Sequence, residues 1–200
     1  AIYAYLGDLE GLNEVRSHWQ RSVEGPLPEG VVFRKDFSWH HDPDHPLLIN
    51  PPGALKNQLV IDGIVPDDMR RNGSFSNPPP KPTTSYHWET LQGMVMAARI
   101  LERQCMPIWN VGEKALYRAV QVLQTTWGSE SESYRASGDD LWMLPFLDQA
   151  YGTSFSAQYD SCESRLYKHG KNVGWPWILS EGTSVVRCVR SPESAVLDPE

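Results

Sequence analysis

The stretch that decides the fold runs from residue 64 to residue 104 and reads IVPDDMRRNGSFSNPPPKPTTSYHWETLQGMVMAARILERQ. It contains the pair Arg70-Arg71, a polar segment rich in proline, the triplet Tyr86-His87-Trp88 and then apolar residues at helical spacing. Arginine, tyrosine and histidine side chains at the start of one helix would suit an anionic substrate. The plainer alternative is that the triplet packs the first turn of that helix.

Apolar residues recur at helical spacing in much of the remaining chain. The pattern predicts helices at residues 1–7, 9–23, 53–61, 84–104, 112–126, 139–151 (broken or restarted at Pro145) and 153–165. Long irregular segments at 25–53 and 64–83 separate some of them, and one strand-like run follows at 184–189. We therefore expect an all-α protein of antiparallel helix pairs, arranged as an α/α barrel or incomplete toroid with a groove at its mouth.

Composition limits the classes of partner. The chain has 200 residues, enough for one domain, and its formal net charge of −7 argues against a broad nucleic-acid surface. No apolar run reaches the roughly 20 residues that cross a bilayer. The opening residues AIYAYLGD read as the middle of a helix, so we expect that residue 1 is not the biological start.

The three cysteines, at positions 105, 162 and 188, show no metal-type spacing. Cys105 falls in an apolar helical pattern and is expected to behave as a small hydrophobe. Cys162 and Cys188 could pair in an oxidising compartment, which would leave Cys105 free.

Three acidic or histidine-rich clusters suggest other chemistry. The segment His40-His41-Asp42-Pro43-Asp44-His45 has metal-ligand residue types, but its prolines and irregular spacing favour a solvated loop, and we assign no metal. The pairs Asp67-Asp68 and Asp139-Asp140 could serve a glycoside hydrolase only if two carboxylates faced each other across a groove. The side chains of sequence neighbours usually point in different directions, so the sequence does not favour a glycoside hydrolase.

A series of short motifs resembles the alginate lyase domain of polysaccharide lyases. The order is a DG-x-x-x-(D/E)-x-x-R segment, a Tyr-His pair that opens a long alanine-rich helix, and then a tryptophan. The matching pieces, with similar flanking segments upstream and downstream, are Asp62-Gly63, Asp68, Arg70-Arg71, Tyr86-His87, Ala97-Ala98, Arg103, Trp109, Leu144-Pro145-Phe146 and His169 to Trp175.

The resemblance implies β-elimination on a uronic-acid polysaccharide by a secreted lyase that needs no cofactor. Arg71 (or Arg70) would neutralise the substrate carboxylate, Tyr86 would exchange protons, and His87 would be a supporting or alternative acid/base. Substrate contacts would come from Arg70, Trp88, Trp109, Lys171 and Trp175. The lyase-like domain would span residues 1–178, with a tail at 179–200.

The same resemblance implies that part of the site lies elsewhere. The family has an Asn-His pair that helps to neutralise the carboxylate, and in this chain it would precede the first helix. A preceding segment or a further chain would therefore complete the groove. The alternative is a carbohydrate-binding or structural protein without catalytic activity on the same helical scaffold.

Overall fold

The computed structural model describes residues 1–31, 37–69, 86–128, 134–136 and 138–158. These residues are mostly helical, which confirms the all-α class; no toroid is identified among them. None of the helices in this part of the chain is long and apolar enough to cross a membrane. The α-helices are α1 (Ile2–Leu6), α2 (Leu9–Glu24), α3 (Pro66–Met69), α4 (His87–Arg103), α5 (Val111–Gln121) and α6 (Leu144–Tyr151).

The first two helices form where the periodicity predicts them. Asp8 caps α2, because its Oδ1 accepts a hydrogen bond of 3.0 Å from the backbone N–H of Gly11. The buried side of α2 carries Leu12, Trp19 and Val23. This side packs against α4 and α5, so α2 forms one wall of the core.

The helix predicted at residues 53–61 is wrong. These residues contain a two-stranded antiparallel hairpin, β1 (Leu55–Lys56) and β2 (Leu59–Val60). The turn residues Asn57 and Gln58 have φ values of +49° and +68°. Two consecutive positive φ values define the type I′ turn, whose twist matches that of the two strands.

Helix α4 is the centre of the fold. It contacts α2, α3, α5 and α6, and its buried face includes Trp88, Leu91, Val95 and Ala98. The predicted cap at Thr84 or Ser85 lies outside the described residues. In the structure Tyr86 occupies the N-cap position with helical backbone angles.

Helix α5 begins with an unusual turn. Gly112, Glu113 and Lys114 all have left-handed backbone angles, and the element continues beyond Gln121 as a π-helical turn, Val122–Thr126. Left-handed angles are unfavourable for residues with a Cβ, so the surrounding contacts must compensate. The predicted helix at 112–126 is therefore confirmed in extent but not in its first turn.

The last described elements follow the expected break. A 3-10 helix, Gly138–Met143, leads into α6, and Pro145 lies in the first turn of α6, where a missing N–H removes no helical bond. A second 3-10 helix, Phe155–Gln158, occupies the start of the predicted helix at 153–165. The rest of that helix, the run at 184–189 and the domain boundary at 178 lie outside the described residues.

The prediction for Cys105 is wrong. Cys105 lies beyond the end of α4, is exposed, and has a positive φ of 59°. It forms a disulfide, and therefore it is neither free nor a core residue. Both other cysteines of the chain, Cys162 and Cys188, lie outside the described residues.

Arg118 joins the loop around the hairpin to α5. Its guanidinium donates to the carbonyl oxygen of Asn50 at 2.8 Å and to Oδ1 of Asp62 at 2.5 Å. It also donates to the carbonyl oxygens of Gly112 and Glu113, at 2.9 and 3.1 Å. The planar fork of arginine can make all four bonds at once, which lysine cannot. We call these four bonds the Arg118 hydrogen-bond cluster.

Candidate functional site

The strongest candidate site lies at the junction of α3 and α4. Met69 ends α3 and directly precedes Arg70, whereas His87 opens α4 and directly follows Tyr86. Nδ1 of His87 lies 3.1 Å from Sδ of Met69. The two residues that flank segment 70–85 are therefore in contact, and we call this contact the clasp.

A second contact joins the same two elements. The Thr90 hydroxyl donates a short hydrogen bond to Oδ2 of Asp68. Asp68 is a buried carboxylate, 5% exposed, on α3, and Thr90 lies one turn beyond Tyr86 on α4. The clasp and this bond together fix how α3 approaches α4.

His87 is held neutral by its surroundings. Its side chain is fully buried, and this burial lowers the pKa of the imidazole from 6.5 to about 3. A backbone contact with Tyr134 opposes this lowering of the pKa of His87. The carbonyl oxygen of Tyr134 also accepts a hydrogen bond of 2.8 Å from Nε1 of Trp88. None of the described residues makes a hydrogen bond to Nε2 of His87.

Burial also decides what His87 can reach. A thioether sulfur can only accept, so the contact with Met69 is a weak hydrogen bond in which Nδ1 carries the proton. A ring with no exposed atom cannot exchange protons with a substrate in solvent. In this arrangement His87 packs the first turn of α4.

Tyr86 is placed differently from its two neighbours. Its side chain is 45% exposed, whereas His87 and Trp88 are fully buried. An α-helix turns by about 100° per residue, so positions 4, 7 and 11 beyond Tyr86 lie on nearly the same face. These positions are Thr90, Gly93 and Ala97.

The same three residues line a groove of about 530 Å³ between α1, α2 and α4. The groove is mainly apolar, with Trp19 and Met94 among its walls and Glu14 and His18 at its polar positions. Nothing lies within 4 Å of the position that a Cβ would take at Gly93. Tyr86 therefore shares a helix face with an open groove.

The two described tryptophans of the predicted site lie in the core. Trp88 is fully buried, and Trp109 is 7% exposed and packs edge-on against Tyr151, with ring centroids 6.0 Å apart. The Tyr151 hydroxyl donates to the carbonyl oxygen of Trp109 at 2.7 Å. Stacking of a sugar on either indole ring would require the core to rearrange.

Four of the predicted site residues, Arg70, Arg71, Lys171 and Trp175, lie outside the described residues. The part of the site that the structure describes is therefore the clasp, the Asp68–Thr90 bond and the exposed Tyr86.

The histidine-rich segment does not gather metal ligands. His40 is buried, whereas His45 is exposed and its Nδ1 lies 2.9 Å from Oδ2 of Asp42. This contact raises the pKa of His45 and lowers that of Asp42. Within the described ranges, no three histidine, cysteine or acidic side chains come together as a metal site.

Polar side chains that belong to none of the sequence motifs also support α4. Nε2 of Gln92 donates to Oδ1 of Asp140 at 3.0 Å, and both residues are buried. The Trp142 indole N–H approaches Oε1 of Gln92 at 3.5 Å. The sequence signal for this contact is that Gln92 interrupts the apolar face of α4 one turn after Trp88.

Comparison with protein-family models, with curated proteins and with solved structures found no match to this chain.

Proposed function

We propose that this chain is a helical domain of a secreted polysaccharide lyase, built as part of an α/α toroid, that cleaves a uronic-acid polysaccharide by β-elimination. Arg71 and Tyr86 are the proposed catalytic pair. The observation that carries the proposal is the clasp between Met69 and His87. It supports a common location for two residues that are 15 positions apart in the chain.

Covalent geometry links the clasp to the pair. Consecutive Cα atoms are 3.8 Å apart, so the Cα of Arg71 lies within about 7.6 Å of the Cα of Met69, and that of Tyr86 within about 3.8 Å of His87. The long interval between the arginine and the tyrosine is therefore compatible with the proposal, because its described flanks, Met69 and His87, are in contact.

The proposed reaction uses the charge of one residue and the proton of the other. The Arg71 guanidinium binds the substrate carboxylate and so stabilises the negative charge that develops when the C5–H bond breaks. The electron pair of that bond forms the C4–C5 double bond while the C4–O bond breaks. The Tyr86 oxygen takes the proton that leaves C5, and the Tyr86 hydroxyl then gives a proton to the departing 4-oxygen, so the residue ends in the state in which it began.

Two further observations support the proposal. The groove beside Tyr86 gives an extended chain a place to lie along α4. The disulfide at Cys105 fits an oxidising compartment, as expected of a secreted protein. The substrate is an acidic polysaccharide, and the reaction requires no cofactor.

The test is incubation with polymannuronate, polyguluronate and polyglucuronate, with the unsaturated product measured by its near-ultraviolet absorbance. Arg71→Ala and Tyr86→Phe should each lower kcat by about 10²–10³-fold. Arg16→Ala and Tyr5→Phe are matched controls at exposed positions on α2 and α1, and they should retain the native rate. A lyase activity that survives both site substitutions would rule out this pair.

The burial of His87 favours one alternative, a carbohydrate-binding protein without catalytic activity. With His87 inaccessible, Tyr86 is the exposed acid/base candidate at the described part of the junction. This alternative predicts that polyuronate binds, that Arg71→Ala weakens binding, and that no unsaturated product forms. Release of saturated ends would instead indicate a glycoside hydrolase.

A further inference from the structure

We infer that the groove between α1, α2 and α4 binds a small apolar amine, with the ammonium group of the ligand beside Glu14. Tyr86 is not among the residues that line this groove. The amine site is therefore separate from the proposed catalytic pair and does not depend on lyase activity.

The groove has the size and the lining of a small-molecule site. Its volume of about 530 Å³ lies within the range of roughly 300–1,000 Å³ that is typical of such sites. Val15, Trp19 and Met94 give it apolar walls. Gly93 leaves open space on the α4 side, because nothing lies within 4 Å of the position that a Cβ would take. The apolar body of a ligand would leave water by entering here.

The hydroxyl groups on the α2 and α4 sides of the groove have already used their protons. Ser22 donates to the carbonyl oxygen of His18 at 2.8 Å, and Thr90 donates to Oδ2 of Asp68. A hydroxyl has one proton, so each of the two can only accept a hydrogen bond from a ligand. The indole N–H of Trp19 also donates to a backbone carbonyl oxygen, at 3.3 Å. These polar atoms therefore favour a ligand that supplies donors.

The charge of the groove favours the same kind of ligand. Glu14 is exposed, and none of the described residues that line the groove is a lysine or an arginine. Within the described part of the chain, Glu14 has no hydrogen bond or ion pair. The other exposed polar side chains, His18 and Tyr3, can donate or accept and so oppose neither sign. The net charge of −7 would also attract a cation.

An ammonium group meets both requirements. It carries three donors and a positive charge, so it can donate to the Glu14 carboxylate while the rest of the ligand lies against Trp19 and Met94. A carboxylate in the same place would meet a like charge and hydroxyls that can only accept. A uronate chain that follows α4 from Tyr86 would have to turn its carboxylates away from Glu14 and toward solvent.

The experiment uses phenylbutylamine, phenylbutanol and phenylbutyrate, which share one apolar body and differ in charge. Calorimetry with the full chain measures their dissociation constants. The amine should bind about threefold more tightly than the alcohol, as expected of one charge pair at an exposed position, and the carboxylate should bind most weakly. The preference for the amine should shrink as salt is added.

Three variants locate the site. Glu14→Gln keeps the shape of the side chain and should weaken binding of the amine about threefold without affecting the alcohol. Glu10→Gln makes the same change of charge at an exposed residue of α2 that does not line the groove, and it should keep the native preference. Gly93→Leu fills the open space and should abolish binding of the amine and the alcohol.

Several results would overturn the inference. One is the failure of all three compounds to bind at millimolar concentration, and another is phenylbutyrate that binds as tightly as the amine. Equal losses for the amine and the alcohol in Glu14→Gln, or unchanged binding in a folded Gly93→Leu, would also contradict it. Thermal unfolding checks the fold of each variant, and should Gly93→Leu fail to fold, the exposed Glu14→Gln decides.

Discussion

At the scale of single residues, Tyr86, His87 and Trp88 show what a sequence motif can and cannot predict. Their side chains are suited to proton exchange and stacking, yet only Tyr86 reaches solvent. The sequence identifies the three residue types but not their directions. Those directions depend on Met69 and Tyr134, which contact His87 and Trp88 across 18 and 46 positions of the chain.

The burial of His87 predicts a pH dependence of stability. The folded protein protonates His87 only near pH 3, whereas the unfolded chain does so near pH 6.5. Between these values the unfolded state binds more protons, so the contribution of His87 to stability is complete above pH 6.5 and is lost as the pH falls toward 3. The loss from this group is at most about 1.4 kcal/mol per pH unit.

Denaturant unfolding of the native protein and His87→Asn at pH 7, 5.5 and 4 measures this effect. The difference between their free energies of unfolding should shrink as the pH falls. His45→Asn is the control of opposite sign, because Asp42 raises the pKa of His45 and so its protonated form is the stabilising one. Parallel pH curves for native protein and His87→Asn would show that His87 is not buried in neutral form.

Two glycines with similar backbone angles should respond differently to alanine. Gly53 has a φ of +71° with nothing within 4 Å of a Cβ, whereas Gly63 has a φ of +76° and a Cβ there would lie 2.6 Å from backbone atoms of Arg118. Gly53→Ala should lose about 1 kcal/mol to backbone strain alone. Gly63→Ala should lower the free energy of unfolding by about 1–3 kcal/mol more, since the hairpin loop must move away from the Arg118 hydrogen-bond cluster. Equal shifts of the denaturation midpoint would contradict this.

At the scale of elements, the periodicity predicts the long helices correctly but not the hairpin within residues 53–61. Helices α2 and α4 have an apolar face of four turns or more, so an error at one position does not matter. The hairpin has two residues per strand, and Ala54, Leu55, Lys56 and Leu59 are all good helix formers. Asn57 signals a type I′ turn, but Gln58 stands where glycine is usual, so the signal was weak.

Helices α2 and α4 offer a matched pair of glycine substitutions. Gly93 lies inside α4, and alanine there would meet nothing within 4 Å, so Gly93→Ala should stabilise the protein by about 0.5–1 kcal/mol. At Gly11 of α2, a Cβ would lie 2.5 Å from the ring of Tyr3. Gly11→Ala should give no such gain, because α1 would have to shift. Thermal unfolding of both variants tests the packing of α1 on α2, and a similar gain from both would show that α1 does not pack there.

At the scale of the whole molecule, the disulfide of Cys105 ties α4 to a distant part of the chain. Its possible partners, Cys162 and Cys188, lie 57 and 83 residues further on. Closing a loop of that size typically contributes about 2–4 kcal/mol. Reductant should lower the thermal midpoint of the native protein and leave that of Cys105→Ser unchanged. Peptide mapping that finds Cys162 bonded to Cys188 would contradict this assignment.

The contacts that fix the whole molecule could not be predicted from local patterns. Trp19 donates to the carbonyl oxygen of Met94 across 75 positions, and Glu24 accepts from the N–H of Gly112 across 88. Each partner is an ordinary residue in its own segment. The helical class could be predicted because it follows from periodicity, whereas the surroundings of α4 depend on such pairs.

The Arg118 hydrogen-bond cluster affects how the protein can fold during its synthesis. Asp62 and Arg118 are 56 residues apart, so at 5–20 residues per second a ribosome needs about 3–11 s to make the second after the first. During that interval the hairpin loop exists without the side chain that anchors it, and the end of α2 also lacks its contact with Gly112. The amino-terminal half therefore cannot complete its fold as it emerges, and must wait for α5.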